Sequence, residues 1–190
     1  ELAWVDVTTG KDDVILATAL GKLARFAETE VRPMGRDASG VIGIELVRQG
    51  DQVVSMSVVQ PGADLLVLTE TGYGKRVPLS EFRRKHRGGQ GVRLISLEGK
   101  KTGDVAAVQQ VTEQDEELLL ISAGGQVVRT ETNTINRYAS QARGVIVMRL
   151  NTGDKVVGIA AFRAGLAQRG GLADNEAGGA GPAPDGGTGK

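Results

Sequence analysis

Short apolar runs separated by glycine and polar residues recur along this chain about every fifty residues. Val14-Ile15-Leu16-Ala17, Leu65-Leu66-Val67-Leu68 and Leu118-Leu119-Leu120-Ile121 each open one copy of the same pattern. Beyond each run stands a glycine, Gly21, Gly72 or Gly125, and four residues later an arginine, Arg25, Arg76 or Arg129. Fifteen residues after each arginine comes Gly-Val, at Gly40-Val41, Gly91-Val92 and Gly144-Val145, and six after each of these glycines comes Leu46, Leu97 or Leu150. The length varies only beyond that point, before Asp51, Asp104 and Asp154, each of which precedes a closing apolar stretch. A fixed period of this size marks a repeat architecture, whose units bury their faces against one another.

No segment keeps a 3.6-residue apolar stripe for three turns, while β-branched runs between turn residues are frequent, so each unit reads as strands. In the second unit the expected strands are Leu65 to Thr69, Lys75 to Leu79, Val92 to Leu97 and Val105 to Val111, with Thr71-Gly72-Tyr73-Gly74 as the first hairpin turn. Four-stranded sheets repeated radially are propeller blades. The expected fold is therefore all-β and propeller-like, with blades over residues 12–62, 63–115 and 116–163. Three blades are fewer than a closed propeller usually has, and Leu2-Ala3-Trp4-Val5-Asp6-Val7 resembles the closing strand of a preceding blade. Residues 1–11 are thus expected to be a remnant of that blade, and the chain a fragment with an open apolar edge. From residue 164 to 190 Gly, Ala and Pro dominate, a composition that buries too little surface to offset chain entropy, so a disordered tail is expected.

The chain holds no cysteine, which removes disulfides and thiolate metal sites. No run of eighteen apolar residues is present, so no membrane span is expected. Lys and Arg together number 23, as do Asp and Glu, for a net charge of zero. The distribution is uneven. Between residues 75 and 101 lie Lys75, Arg76, Arg83, Arg84, Lys85, Arg87, Arg93, Lys100 and Lys101, against Glu81 and Glu98 alone. Fields act within a Debye length of roughly 8 to 10 Å, so a neutral total is compatible with a strongly positive rim. A basic run is either a solvated loop or a phosphate-binding surface. Its repetition, through Lys22, Arg25, Arg32 and Arg36 in the first unit and Arg129, Arg137 and Arg143 in the third, favours the surface.

The stretch Tyr73-Gly74-Lys75-Arg76-Val77-Pro78-Leu79-Ser80-Glu81-Phe82, followed by Lys85-His86-Arg87-Gly88-Gly89-Gln90-Gly91-Val92, resembles the C-terminal β-pinwheel of the DNA gyrase A subunit. So do Asp13-Val14-Ile15-Leu16-Ala17-Thr18 and Val31-Arg32-Pro33-Met34-Gly35-Arg36, and the similarity covers residues 1 to 162. The resemblance implies three blades of a six-bladed disc whose basic perimeter wraps double-stranded DNA without regard to sequence. It also implies a bacterial, cytoplasmic, nucleoid-associated protein, part of an A2B2 assembly with the gyrase B subunit. That assembly is an ATP-hydrolysing type II topoisomerase that supercoils DNA negatively. ATP and Mg are expected elsewhere in it, with no cofactor in this chain.

The family's signature is Gln-Arg-Arg-Gly-Gly-Lys-Gly, normally in the first blade. The heptapeptide Lys85-His86-Arg87-Gly88-Gly89-Gln90-Gly91 departs from it at Lys85, His86 and Gln90, as a degenerate copy in a later blade. Its glycines either admit a phosphate close to the backbone, with Arg87 and Lys85 supplying charge, or turn the chain between strands. The alternatives to gyrase are the corresponding domain of the topoisomerase IV C subunit and a propeller that binds proteins.

Catalysis finds little support. His86 is the single histidine and lies between two cations, unsuited to a nucleophilic triad, and the scattered carboxylates lack zinc-site spacing. Asp12-Asp13 reads as a turn. Gly189-Lys190 has no strand and helix around it to make a phosphate loop. Tyr73 and Tyr138 read as packing or backbone-contact residues, because the cleaving tyrosine of the family belongs to a separate region.

Overall fold

A computed structural model describes residues 2–115 and 117–162. The tail expected over 164–190 lies outside the described residues. Eleven strands are present among those described: β1 (Asp13–Thr18), β2 (Lys22–Ala27), β3 (Val53–Val58), β4 (Asp64–Thr69), β5 (Tyr73–Pro78), β6 (Val92–Arg93), β7 (Val105–Val111), β8 (Glu117–Ser122), β9 (Val127–Glu131), β10 (Val145–Ile146) and β11 (Val156–Phe162). The helical elements among them are four three-residue 3-10 turns, and none is long and apolar enough to cross a membrane.

The strands form three antiparallel sheets, in the orders β3-β1-β2-β6, β10-β5-β4-β7 and β11-β8-β9. The expected strand Val92 to Leu97 is cut to two residues and changes sheets. Val92 and Arg93 pair with Leu23 and Lys22 of the preceding unit, and Val145 and Ile146 pair likewise with Gly74 and Tyr73. Each four-stranded sheet therefore takes its outer strand from the following unit. The third sheet has three strands among the described residues.

Two glycines per exchange explain the invariant spacing read from the sequence. Gly72 turns the host hairpin at φ 85°, and a Cβ there would stand 2.0 Å from Met148 O. Gly144 precedes the incoming strand at φ 85°, and its Cβ would meet Gly74 O at 2.4 Å. Only glycine tolerates both the left-handed backbone and the approach. Gly21 and Gly91 repeat the arrangement in the first sheet, where a Cβ at Gly91 would meet Leu23 O at 2.8 Å. At Leu2 to Val7 the chain departs from expectation: the closing-strand pattern is there, but the segment is exposed and forms no strand. Val41-Ile42, the first unit's counterpart of β6, likewise forms no strand, and its neighbours Gly43 and Glu45 hydrogen-bond Gly88 and Gly89 of the next unit's loop.

Sheets stack face to face. β4 is buried along its whole length, and its two faces serve two interfaces. Leu65 and Val67 pack with Ile15, Leu23, Phe82, Leu94 and Val105 toward the first sheet. Leu66 and Leu68 pack with Leu118, Leu120, Met148 and Val156 toward the third. Strand alternation makes this division, because successive side chains leave opposite faces of a sheet. Burying each such leucine contributes about 1.5–3 kcal/mol.

Candidate nucleic-acid interface

The basic segments run after β2, β5 and β9, over the 3-10 turns Glu28–Glu30, Leu79–Glu81 and Thr132–Thr134. The second and third of them fold back over the preceding sheet. Lys85 N–H donates to Arg25 O at 2.8 Å and Tyr138 N–H to Arg76 O at 2.8 Å, so each loop runs beside the arginine strand of the unit before it.

The predicted cations divide into two groups. Much of the first group is engaged within the protein. Arg25 donates from Nε to Asp13 Oδ2 at 2.8 Å and from NH1 to Phe82 O at 3.0 Å. Arg76 donates from Nε to Ile135 O at 2.6 Å and sits 3.5 Å from Asp64. Arg129 is tied to Glu117. Arg84 pairs with Asp13 at 2.9 Å and Arg137 with Asp64 at 2.7 Å, though about half of each side chain stays exposed. Arg87 donates from its backbone N–H to Glu30 Oε2, from Nε to Glu30 O and from NH1 to Ile42 O. Arg143 grips both carboxylate oxygens of Glu98 and lies 5.0 Å over the Tyr73 ring. The Arg143 hydrogen bonds, with help from Lys101, hold the Glu98 carboxyl below its usual range, and the hydrogen bond to Asp64 raises Arg137 further above its own.

Lys75 is the clearest correction. Its side chain is completely buried, with Nζ donating to Ala139 O at 2.7 Å and Ser140 O at 3.0 Å, so it clamps the next unit's loop and does not face a ligand. Burial lowers its pKa to about 8, only partly opposed by the Glu81 carboxylate.

The second group is free. Lys22, Arg32, Arg36, Arg83, Lys85 and Arg93 are exposed, and their side chains make no hydrogen bond or ion pair among the described residues. Arg83, Lys85, His86 and Gln90 line one shallow cavity of about 200 Å³ beside β2. Lys22 and Arg93 face each other across the strand exchange and line a groove of about 480 Å³ with Arg48 and Gln90. His86 is almost wholly exposed, with Nδ1 3.3 Å from Glu30 Oε2. Among the loop glycines, Gly88 has φ 76° and Gly91 φ 69°, and Gly91 lies close against the Leu23 backbone; Gly89 meets only His86 O, at 3.9 Å. Gly91 thus serves a strand turn, and Gly88 gives its N–H to Gly43 O at 2.7 Å, while Gly89 is exposed beside the cations.

The sequence reading gave the acids no part in holding these loops: Asp12-Asp13 read as a turn, and Glu81 and Glu98 only as charges within the basic stretch. Asp13, Asp64 and Glu117 each stand twelve residues before the repeated arginine, and Glu30 and Glu81 five after the first two. That spacing was available as a signal. No group of three or more His, Cys, Asp or Glu among the described residues could hold a metal ion.

A family model described as DNA gyrase C-terminal domain, beta-propeller, matches residues 12–60, 63–112 and 116–163. The DNA gyrase A subunit of Staphylococcus epidermidis is 38% identical over 162 residues, which cover 84% of this chain and 18% of that protein. The chain thus spans less than a fifth of the length of the curated relatives it matches. A solved DNA gyrase A C-terminal domain is similar with a TM-score of 0.75 at 30% identity, over 82% of this chain and 52% of its own. The C-terminal domain of a DNA topoisomerase IV gives the same TM-score at 22% identity, over 82% and 48%, a likeness of fold.

Proposed function

The chain belongs to the DNA gyrase C-terminal domain family, and on that premise we propose that it binds duplex DNA without sequence preference and bends it along a basic edge. In this reading the units over 12–62, 63–115 and 116–163 act as successive stations on one duplex. They do so as the C-terminal part of a gyrase A subunit, which joins the gyrase B subunit to form an A2B2 assembly. The ATP-driven negative supercoiling by that bacterial, nucleoid-associated enzyme is the activity they support, with no catalytic group supplied by this chain.

The observation that carries the reading is the set of exposed cations without partners, Arg83 and Lys85 above all. They sit on a loop whose backbone is pinned to a rigid sheet, so they project charge at small entropic cost. Phosphate contacts position a duplex without reading its bases. Identity of 30% to the gyrase domain against 22% to the topoisomerase IV domain favours the gyrase assignment over its rival at equal fold similarity.

Fluorescence anisotropy on two duplexes of unrelated sequence, titrated across salt, tests the reading. Both should bind alike, with a log-log slope of about −0.9 per phosphate contact. A shallow slope or a strong preference for one duplex overturns it, and the shallow slope would favour a protein-binding module.

A further inference from the structure

Asp13 and Asp64 begin β1 and β4, are 6% and 4% exposed, and are each shared by arginines of two different units. Asp13 Oδ2 accepts from Arg25 Nε at 2.8 Å, while Arg84 Nε of the next unit stands 2.9 Å from Oδ1. That second approach is an ion pair outside hydrogen-bond alignment, since Oδ1 has no hydrogen-bond partner. Asp64 repeats the arrangement with Arg76 NH1 at 3.5 Å and the next unit's Arg137 Nε at 2.7 Å. The same arginines reach across the boundary from the other direction, to Phe82 O and Ile135 O. Glu30 and Glu81 add a second anchor by accepting the backbone N–H of Arg87 at 3.0 Å and of Ser140 at 2.9 Å.

A buried carboxylate is retained at low cost only when its charge is matched, and here cations from two units match each charge, Arg25 and Arg84 at Asp13 and Arg76 and Arg137 at Asp64. Each carboxylate keeps its second cation only while the following loop lies on the preceding sheet. The first of these loops carries the free cations Arg83 and Lys85.

We propose that Asp13 and Asp64 are positioning residues for DNA wrapping: each fixes the pose of the next unit's basic loop, so removing this negative charge weakens wrapping. The inference rests on the DNA-binding reading above. It opposes the simple charge account, in which losing an acid from a basic edge strengthens binding at every salt concentration.

The test compares the 190-residue chain with its Asp13→Asn and Asp37→Asn variants. Asp37 is exposed and its side chain makes no hydrogen bond or ion pair among the described residues, so it controls for charge alone. Three readings are taken: amide hydrogen exchange, the salt slope of duplex affinity, and energy transfer between the ends of a short duplex. Asp13→Asn should speed exchange at the Lys85 and Gly88 amides about tenfold while β4 and β8 stay protected. It should also make the slope shallower by roughly one for every phosphate the displaced loop no longer reaches, and lower the energy transfer. Asp37→Asn should do none of these.

Binding by Asp13→Asn at least as tight as wild type, with unchanged slope and transfer, overturns the inference and leaves DNA binding intact. Absence of salt-dependent duplex binding by the wild-type chain overturns both. Should Asp13→Asn lose protection throughout its strands, Arg25→Lys carries the test. It keeps the charge but loses the fork that spans Asp13 and Phe82, so transfer and slope should fall, and unchanged values overturn the inference.

Discussion

Replacing Lys75 with Met separates two opposing contributions that the buried ammonium makes to stability. Burial lowers the lysine pKa from 10.5 to about 8. Below pH 8 the amine is charged in folded and unfolded chains alike, and the folded chain bears the whole desolvation cost. Between pH 8 and 10.5 the unfolded chain holds more protons, so stability rises with pH through that window. The gap between the two values corresponds to about 3 kcal/mol. A neutral amine still has two hydrogens for Ala139 O and Ser140 O, so the clamp survives deprotonation.

Met fills similar space without donors. Each carbonyl it orphans costs about 1–3 kcal/mol. At pH 7 the relief of desolvation and the loss of hydrogen bonds largely offset one another, and the variant should unfold near the wild-type midpoint. By pH 10.5 only the loss remains, and wild type should be more stable by a margin about 3 kcal/mol larger than at pH 7. Urea denaturation of both chains at several pH values measures this, and other titrating groups cancel in the difference. Curves that stay parallel from pH 7 to 10.5 would refute the reasoning.

Gly144→Ala and Gly125→Ala both place Ala at positive φ, near 85°, a strain of about 1–2 kcal/mol. Only Gly144 also drives a Cβ into Gly74 O, so its variant should be less stable by roughly 1–3 kcal/mol more in urea, and equal losses would count against the strand exchange. Lys85→Ala should flatten the salt slope of DNA affinity by about one, whereas Arg129→Ala, which removes a cation already tied to Glu117, should flatten it less. Equal effects in an anisotropy titration would show that the Glu117 pair opens to DNA.

The hairpins, the strand class and the repeat were legible in the sequence because their causes are local. Short apolar and β-branched runs, a glycine at each hairpin turn and a basic run after each second strand are written within one unit and repeated in the next. Tertiary structure decided which sheet Val92-Arg93 and Val145-Ile146 join. A two-residue strand alternates in the same way whichever neighbour it pairs with, and the choice is made by the fit of Gly91 and Gly144 against another unit's backbone. It also decided which cations are free. Lys75 and Lys85 look alike as charges along the chain, yet one is sealed under Ala139 and Ser140 and the other is exposed. The partners that consume Arg25, Arg76 and Arg137 lie up to 73 residues away in the chain. Charge density is a property of sequence, but availability of a charge depends on what folding brings within a few ångströms of it.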